Sequence, residues 1–184
     1  MNDIKIRPAS EADAKLIAQV VAMAMREETA TLLCGAEYMK VLEHIALLEG
    51  TQYSYRNALI AEVNGEPAGA VLGYDGALLE PLRAGTLSVI RKFNPSVSVT
   101  DEETQAGEFY IDSISVLPQF RGHGIGKRLL MAMVGKGLVL GCGKVGLIVD
   151  FENSEASSLY SGCGFQPVGE KLFFGHKMHH LQCT

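Results

Sequence analysis

Residues 113–133, SISVLPQFRGHGIGKRLLMAM, leave the chain that contains them few folds to choose from. A β-branched apolar run stops at Pro118, a basic glycine-rich turn follows, and from Ile125 the residues Leu129, Leu130, Met133 and Val134 recur at helical spacing with Lys127 and Arg128 pointing away. A glycine turn that opens a helix leaves backbone N–H groups unpaired, and the helix dipole adds partial positive charge there. Such a turn suits a phosphate. Gly135 and Gly137 each cost about 1 kcal/mol relative to alanine inside a helix, so its later part frays or packs closely.

The flanking sequence places this unit in a mixed sheet. DIKIRPA alternates like a short strand, and Ser10 with Asp13 forms a capping-box signature for a helix whose buried face carries Leu16, Ile17, Val20, Val21 and Ala24. A second helix is expected over Ala36 to Leu48. ALIAEV and PAGAVLGY read as a hairpin turning at Asn64-Gly65. Residues 76–107, part helical and part polar and acidic, read as an insertion or lid. EFYIDSISV is a strand whose alternation slips around Asp112 and Ser113, the mark of a β-bulge. KVGLIVDF is a buried strand, NSEASSLYSGCG a short capped helix, and FQPVGEKLFFGHKMHHL a closing pair of strands. The order implies one α/β domain over residues 1–184, a mixed sheet with helices on both faces.

Composition narrows the function classes. A net charge of −5 argues against a nucleic-acid binder that works through bulk electrostatics and is compatible with cationic substrates. The polar start MNDIKIRPAS and the absence of an apolar run near the roughly 20 residues of a membrane span point to a cytoplasmic protein that does not engage a membrane. Cys34, Cys142, Cys163 and Cys183 form no CxxC pair, which fits reduced thiols. HKMHH invites a metal reading, but neighbours on a strand face opposite sides, so His179 and His180 do not readily share an ion and no metal is expected.

The phosphate ligand is narrowed by spacing. Gly126-Lys127 is followed by Arg128, and Arg121 stands where a Walker A loop needs glycine; Gly122-His-Gly124-Ile-Gly126 is not GxGxxG either. The turn fits Q/R-x-x-G-x-G/A in two registers, from Gln119 to Gly124 and from Arg121 to Gly126. Here the chain resembles the GNAT superfamily of acyl-CoA N-acetyltransferases, in which this loop wraps the pyrophosphate of coenzyme A. Asn153, Ala156, Leu159, Tyr160, Gly164 and Phe165 match a second family segment, N-x-x-A-x-x-L-Y-x-x-x-G-F. The resemblance is sharp from about Glu108 to Phe165 and topological upstream.

The resemblance implies a twisted sheet of about seven strands, splayed between the strand ending at Val116 and the strand at 144–150. The pantetheine arm would lie in that gap along Ile114, Ser115 and Val116. Arg121, Gly122, His123, Gly124, Ile125 and Gly126 would meet the pyrophosphate, and Asn153 the arm. Tyr160 resembles the family's general acid for the departing thiolate. For the base, Glu108 stands where some members place a glutamate, Asp112 lies near the bulge, and water leading to a carbonyl is a third route. Both carboxylates share a face with Tyr110 if no slip intervenes.

The function implied is acetyl-CoA-dependent transfer of an acetyl group to a primary amine, by direct attack through a tetrahedral intermediate, with free coenzyme A as product and no metal. The acceptor site is expected from the first two helices, the 51–56 loop and residues 76–107, with Glu27-Glu28 near it. A small-molecule amine is the first expectation. A protein or peptide amine and a non-catalytic coenzyme A sensor are the alternatives. Family members are commonly dimers, so a homodimer is compatible with the resemblance, although no coiled coil or apolar stripe specifies one.

Overall fold

The computed structural model describes residues 3–184. Its elements run β1 (Ile4–Pro8), α1 (Ala14–Met25), α2 (Glu27–Cys34), α3 (Tyr38–Leu47), β2 (Ala58–Val63), β3 (Glu66–Asp75), α4 (Leu79–Ile90), β4 (Phe109–Val116), α5 (Ile125–Val139), β5 (Val145–Asp150), α6 (Ser154–Ser161), β6 (Gln166–Phe173) and β7 (His176–Cys183). The strands form one seven-stranded sheet in the order β1-β2-β3-β4-β5-β7-β6, antiparallel except between β4 and β5. This is the mixed α/β architecture expected, with helices on both faces.

Strand alternation sorts the side chains into two cores. Ala58, Ile60, Ala70 and Leu72 face the layer of α1, α3 and α4, where Ile17, Val20, Leu42, Ile45 and Ile90 are buried. Ala61, Val63, Val71, Phe109, Ile111, Val145 and Leu147 face Ile125, Leu129, Leu130 and Met133 of α5. Both hairpins turn through residues with positive φ, Asn64-Gly65 (52° and 84°) and Phe174-Gly175 (48° and 77°), the geometry that matches the strand twist. Near the amino terminus the Ser10 N–H donates to the Asp13 carboxylate at 2.8 Å, which Arg7 also grips through two N–H groups.

Gly137 does not fray. It lies inside α5 because Phe109 packs against it, and a β-carbon there would sit 2.6 Å from the Phe109 ring. Two local differences from the sequence reading concern the helices. Residues 27–34 form α2, which weak periodicity concealed, and the second expected helix begins later, at Tyr38. Residues 76–107 are not a detached cover: α4 buries Leu79, Leu87, Val89 and Ile90, and only the stretch after it is irregular.

The feature that positions the site is the divergence of β4 from β5. The two strands pair only at Phe109↔Val145 and Tyr110↔Gly146, and beyond these rungs β4 stays on β3 while β5 pairs with β7. A gap therefore opens along Ile114, Ser115 and Val116.

Candidate active site

On the α5 face the gap widens into a groove of about 420 Å³. Its walls are Ile114, Ser115 and Val116 from β4, the turn residues Arg121, Gly122 and Gly124, the start of α5 through Ile125, Gly126 and Lys127, and Asn153, Ala156, Leu159 and Tyr160 around α6. Gly122 and Gly124 have φ of 80° and 74°, a region where side chains with a β-carbon are strained, which is why glycine stands there. Among the described residues, the N–H groups of Gly122, His123 and Gly124 donate to no backbone carbonyl. The Arg121 Nε–H donates to the Val116 carbonyl at 3.1 Å, which folds the arginine over the turn.

His123 differs from its neighbours in this loop. Its Nδ1–H donates to the Arg121 carbonyl at 2.8 Å, and its side chain does not line the groove. Asn153 caps α6 by accepting from the Ala156 N–H at 3.1 Å. Tyr160 is 8 % exposed and packs on Phe165 with ring centroids 6.0 Å apart. Burial pushes its phenol up to about 12, so it is protonated throughout the neutral range.

The opposite face of the same gap holds a second cavity of about 210 Å³. It is lined by Met25, Arg26, Thr29 and Leu33 around α1 and α2, by Gln52 and Tyr53, by Arg83, Thr86, Leu87 and Ile90 of α4, and by Val99 and Glu103. Tyr110, Asp112 and Ser113 of β4, Ile148 to Asp150 of β5, Asn153 and the β6–β7 turn complete it. Of the segments expected to frame the acceptor, α1, the 51–56 loop and residues 76–107 contribute, whereas the helix expected over Ala36 to Leu48 does not and the unforeseen α2 stands in its place; Glu27 and Glu28 are exposed in the first turn of α2 and do not reach the cavity.

Asp112 owes its position to the bulge. Leu72 pairs with Ser113 and Gly73 with Ile111, so Asp112 is the extra residue between them. The slip brings both Asp112 and Ser113 to the second cavity, while Ile111 stays in the α5 core and Ile114 reaches the groove. The Asp112 carboxylate accepts from Tyr74 Oη at 3.1 Å and from Ser113 Oγ at 2.8 Å. Burial, helped by the nearby Glu103 charge, raises it to about 7 against those two hydrogen bonds.

Behind Asp112 lies a polar chain that the sequence did not disclose. Gln52 Nε2 donates to Tyr74 Oη at 3.1 Å and to Glu103 Oε1 at 3.0 Å, and Arg83 pairs with the other Glu103 oxygen at 2.5 Å. Its members come from a loop, β3, α4 and the irregular stretch after α4, so no local spacing could have signalled it.

Glu108 shares the face of Tyr110 but not its cavity. It is 2 % exposed and folds across Gly146, where Thr104 Oγ1 and Gln182 Nε2 each donate to it at 2.7 Å and His180 Nε2 lies at 2.9 Å. Burial alone would raise this carboxyl, but the hydrogen bonds from His180, Thr104 and Gln182 outweigh it and hold it below the usual range. At the carboxyl-terminal strand, His179 stacks on Phe151 at 3.6 Å while His180 turns to Glu108. No group of three or more metal-ligating side chains converges among the described residues, and no helix among them is long and apolar enough to cross a membrane.

Comparison with known proteins agrees with this geometry. The model of the acetyltransferase (GNAT) family matches residues 22–165. A solved acetyltransferase is similar over 97 % of both chains, with 30 % identity and a TM-score of 0.82. An N-acetyltransferase from Staphylococcus aureus Mu50 has 26 % identity and a TM-score of 0.83, covering 97 % of this chain and 100 % of its own. The paia N-acetyltransferase from Thermoplasma acidophilum, solved in complex with coenzyme A, shares the fold at 16 % identity and a TM-score of 0.55, over 97 % of this chain and 98 % of its own. No curated protein matches the sequence. With a family match over most of its length and a split sheet that joins two cavities, the chain belongs to the acetyltransferase (GNAT) family.

Proposed function

We propose that the protein is an acetyl-CoA-dependent N-acetyltransferase that acts on a small primary amine by direct attack through a tetrahedral intermediate. The observation that carries this reading is the contiguity of the two cavities. Ser113 lines one and Ile114 the other, and Asn153 is common to both. A thioester delivered through the groove and an amine delivered through the second cavity would meet at the β4–β5 gap.

The groove fits coenzyme A by its donor set. The free N–H groups of Gly122, His123 and Gly124, the dipole of α5, Arg121 and Lys127 suit a pyrophosphate, and the β4 edge at Ile114, Ser115 and Val116 suits an amide-bearing arm. Acetyl-CoA held there would supply an activated acetyl thioester. Asp112, raised to about 7, takes the proton from the incoming ammonium group. Tyr160, which lines the groove, would donate a hydrogen bond and then its proton to the sulfur of a thioester held there. Burial lifts the phenol to about 12, so it carries its proton throughout the neutral range. Glu108 is the weaker candidate base, because three donors already occupy it and it lines neither cavity.

A small acceptor is favoured over a peptide by the way the second cavity is walled. The Phe174 N–H donates to Asp101 at 2.9 Å and Lys171 Nζ to the Glu102 carbonyl at 2.9 Å, tying the stretch after α4 to the β6–β7 hairpin. Thiol release from acetyl-CoA, followed with a panel of primary amines, tests the reading. It requires release that depends on the amine, and an acetylated amine by mass spectrometry. Release without amine, or coenzyme A binding with no transfer, would contradict it.

A further inference from the structure

Resting on the transferase reading, the charge arrangement of the second cavity points further, to the chemical class of its acceptor. Four carboxylate or guanidinium groups of its wall are committed to one another. Arg26 pairs with Asp150 at 3.1 Å at the rim, where the arginine is more than half exposed. Arg83 pairs with Glu103 in the interior, where the two side chains are 7 % and 4 % exposed. Arg83 also donates through Nη2 to the Asp101 carbonyl and through Nη1 to Glu80 at 3.3 Å, and its Nε–H, without a partner, has no exposed surface to offer a ligand. His176, near the rim, leans toward Asp150 at 3.7 Å.

Asp112 is the exception. Its oxygens accept from two neutral hydroxyls, those of Tyr74 and Ser113, and among the described residues it has no cationic partner. The rest of the lining is largely apolar, through Met25, Leu33, Leu87, Ile90, Phe174 and Met178. At about 210 Å³ the cavity is smaller than the roughly 300–1,000 Å³ that encloses a drug-sized ligand.

We infer that the acceptor is a compact primary amine with an apolar body and a single charge, its ammonium group directed to Asp112. A carboxylate next to that amine would enter an interior where, among the described residues, the one lining cation, Arg83, is already taken by Glu103, and would remain uncompensated. A second ammonium group would need a second free carboxylate, and Glu103 already receives Arg83 and Gln52. An apolar body replaces water along the wall at no such cost.

Matched pairs that differ by a carboxylate test this directly. Isopentylamine against leucine, 2-phenylethylamine against phenylalanine, and 1,4-diaminobutane and a phenylalanine-initiated tripeptide amide as further acceptors are offered to the wild-type protein with acetyl-CoA, and specificity constants are read by mass spectrometry. The inference predicts that at least one simple amine exceeds its amino acid and the diamine by about 100-fold or more. Equal or better acetylation of leucine, phenylalanine, the diamine or the tripeptide overturns the acceptor class and leaves the transferase reading standing. If none of the six is acetylated while coenzyme A still shifts the unfolding temperature, both fail.

Discussion

Replacing Asp112 by asparagine should make the protein more stable at neutral pH and much less active. In the folded chain burial raises this carboxyl from its ordinary 3.8 to about 7, whereas the unfolded chain restores the ordinary value. Between those two pH values the folded state binds more protons than the unfolded state, so stability falls as pH rises and levels off above about 7. At 1.36 kcal/mol per tenfold, holding the ionised group in the fold costs at most about 4 kcal/mol. Asparagine keeps the shape and an acceptor for Ser113 or Tyr74 without the charge. We therefore expect a gain on the order of 2–4 kcal/mol at pH 8, shrinking toward zero near pH 4, which for a chain of this length corresponds to roughly 5–10 °C in Tm. Thermal unfolding of both proteins from pH 4 to pH 8 reads the gain. The same variant should lose about 10²–10⁴-fold in kcat/KM, together with the limb of the pH profile near 7. A variant less stable than wild type at pH 8, or one that keeps both activity and that limb, would refute the reasoning.

Gly126 has ordinary backbone geometry, and a β-carbon there meets only Leu159 and Val116 at 3.7 and 3.8 Å. Gly126→Val should therefore fold normally and abolish coenzyme A binding by filling the groove, as measured by calorimetric titration. Gly137→Ala should destabilise by about 1–3 kcal/mol in a urea melt, although alanine is the better helix former, because its β-carbon would collide with Phe109. Tyr160→Phe should lower kcat by about 10²-fold or more and spare coenzyme A affinity; a mere sensor would lose nothing. Glu108→Gln should cost about 1–3 kcal/mol by removing the charge that strengthens the hydrogen bonds from Thr104, His180 and Gln182, yet leave the pH limb near 7 in place.

The parts of the site that were legible in the sequence are those where local chemistry dictates local shape. The glycines of the turn at 122–126 mark backbone that a side chain strains, and the broken alternation at Asp112 and Ser113 marked the bulge before any pairing was known. Helix α2 was hidden because EETATLLC lacks a strong apolar period and its boundary falls at Arg26, which takes φ 68° without being a glycine. The polar chain from Gln52 through Tyr74 and Glu103 to Arg83 was out of reach for a different reason. Its residues lie on four segments, and only the packing of α4 against the sheet brings them together. The rank of the two carboxylates was equally a tertiary matter. Glu108 immediately precedes β4 and Asp112 lies within it, but Thr104, His180 and Gln182 arrive from elsewhere to engage the first, and none of them touches the second.

The central claim is that the glycine turn and the split between β4 and β5 hold coenzyme A. Thermal unfolding with acetyl-CoA, coenzyme A, ATP and NAD in parallel tests it most directly, since a ligand at about 100 times its Kd adds roughly 2.7 kcal/mol to the folded state. The account predicts an upward shift with the two coenzyme A species, absent with NAD and ATP and lost in Gly126→Val. No shift with either coenzyme A species, or an equal shift with ATP, would contradict it.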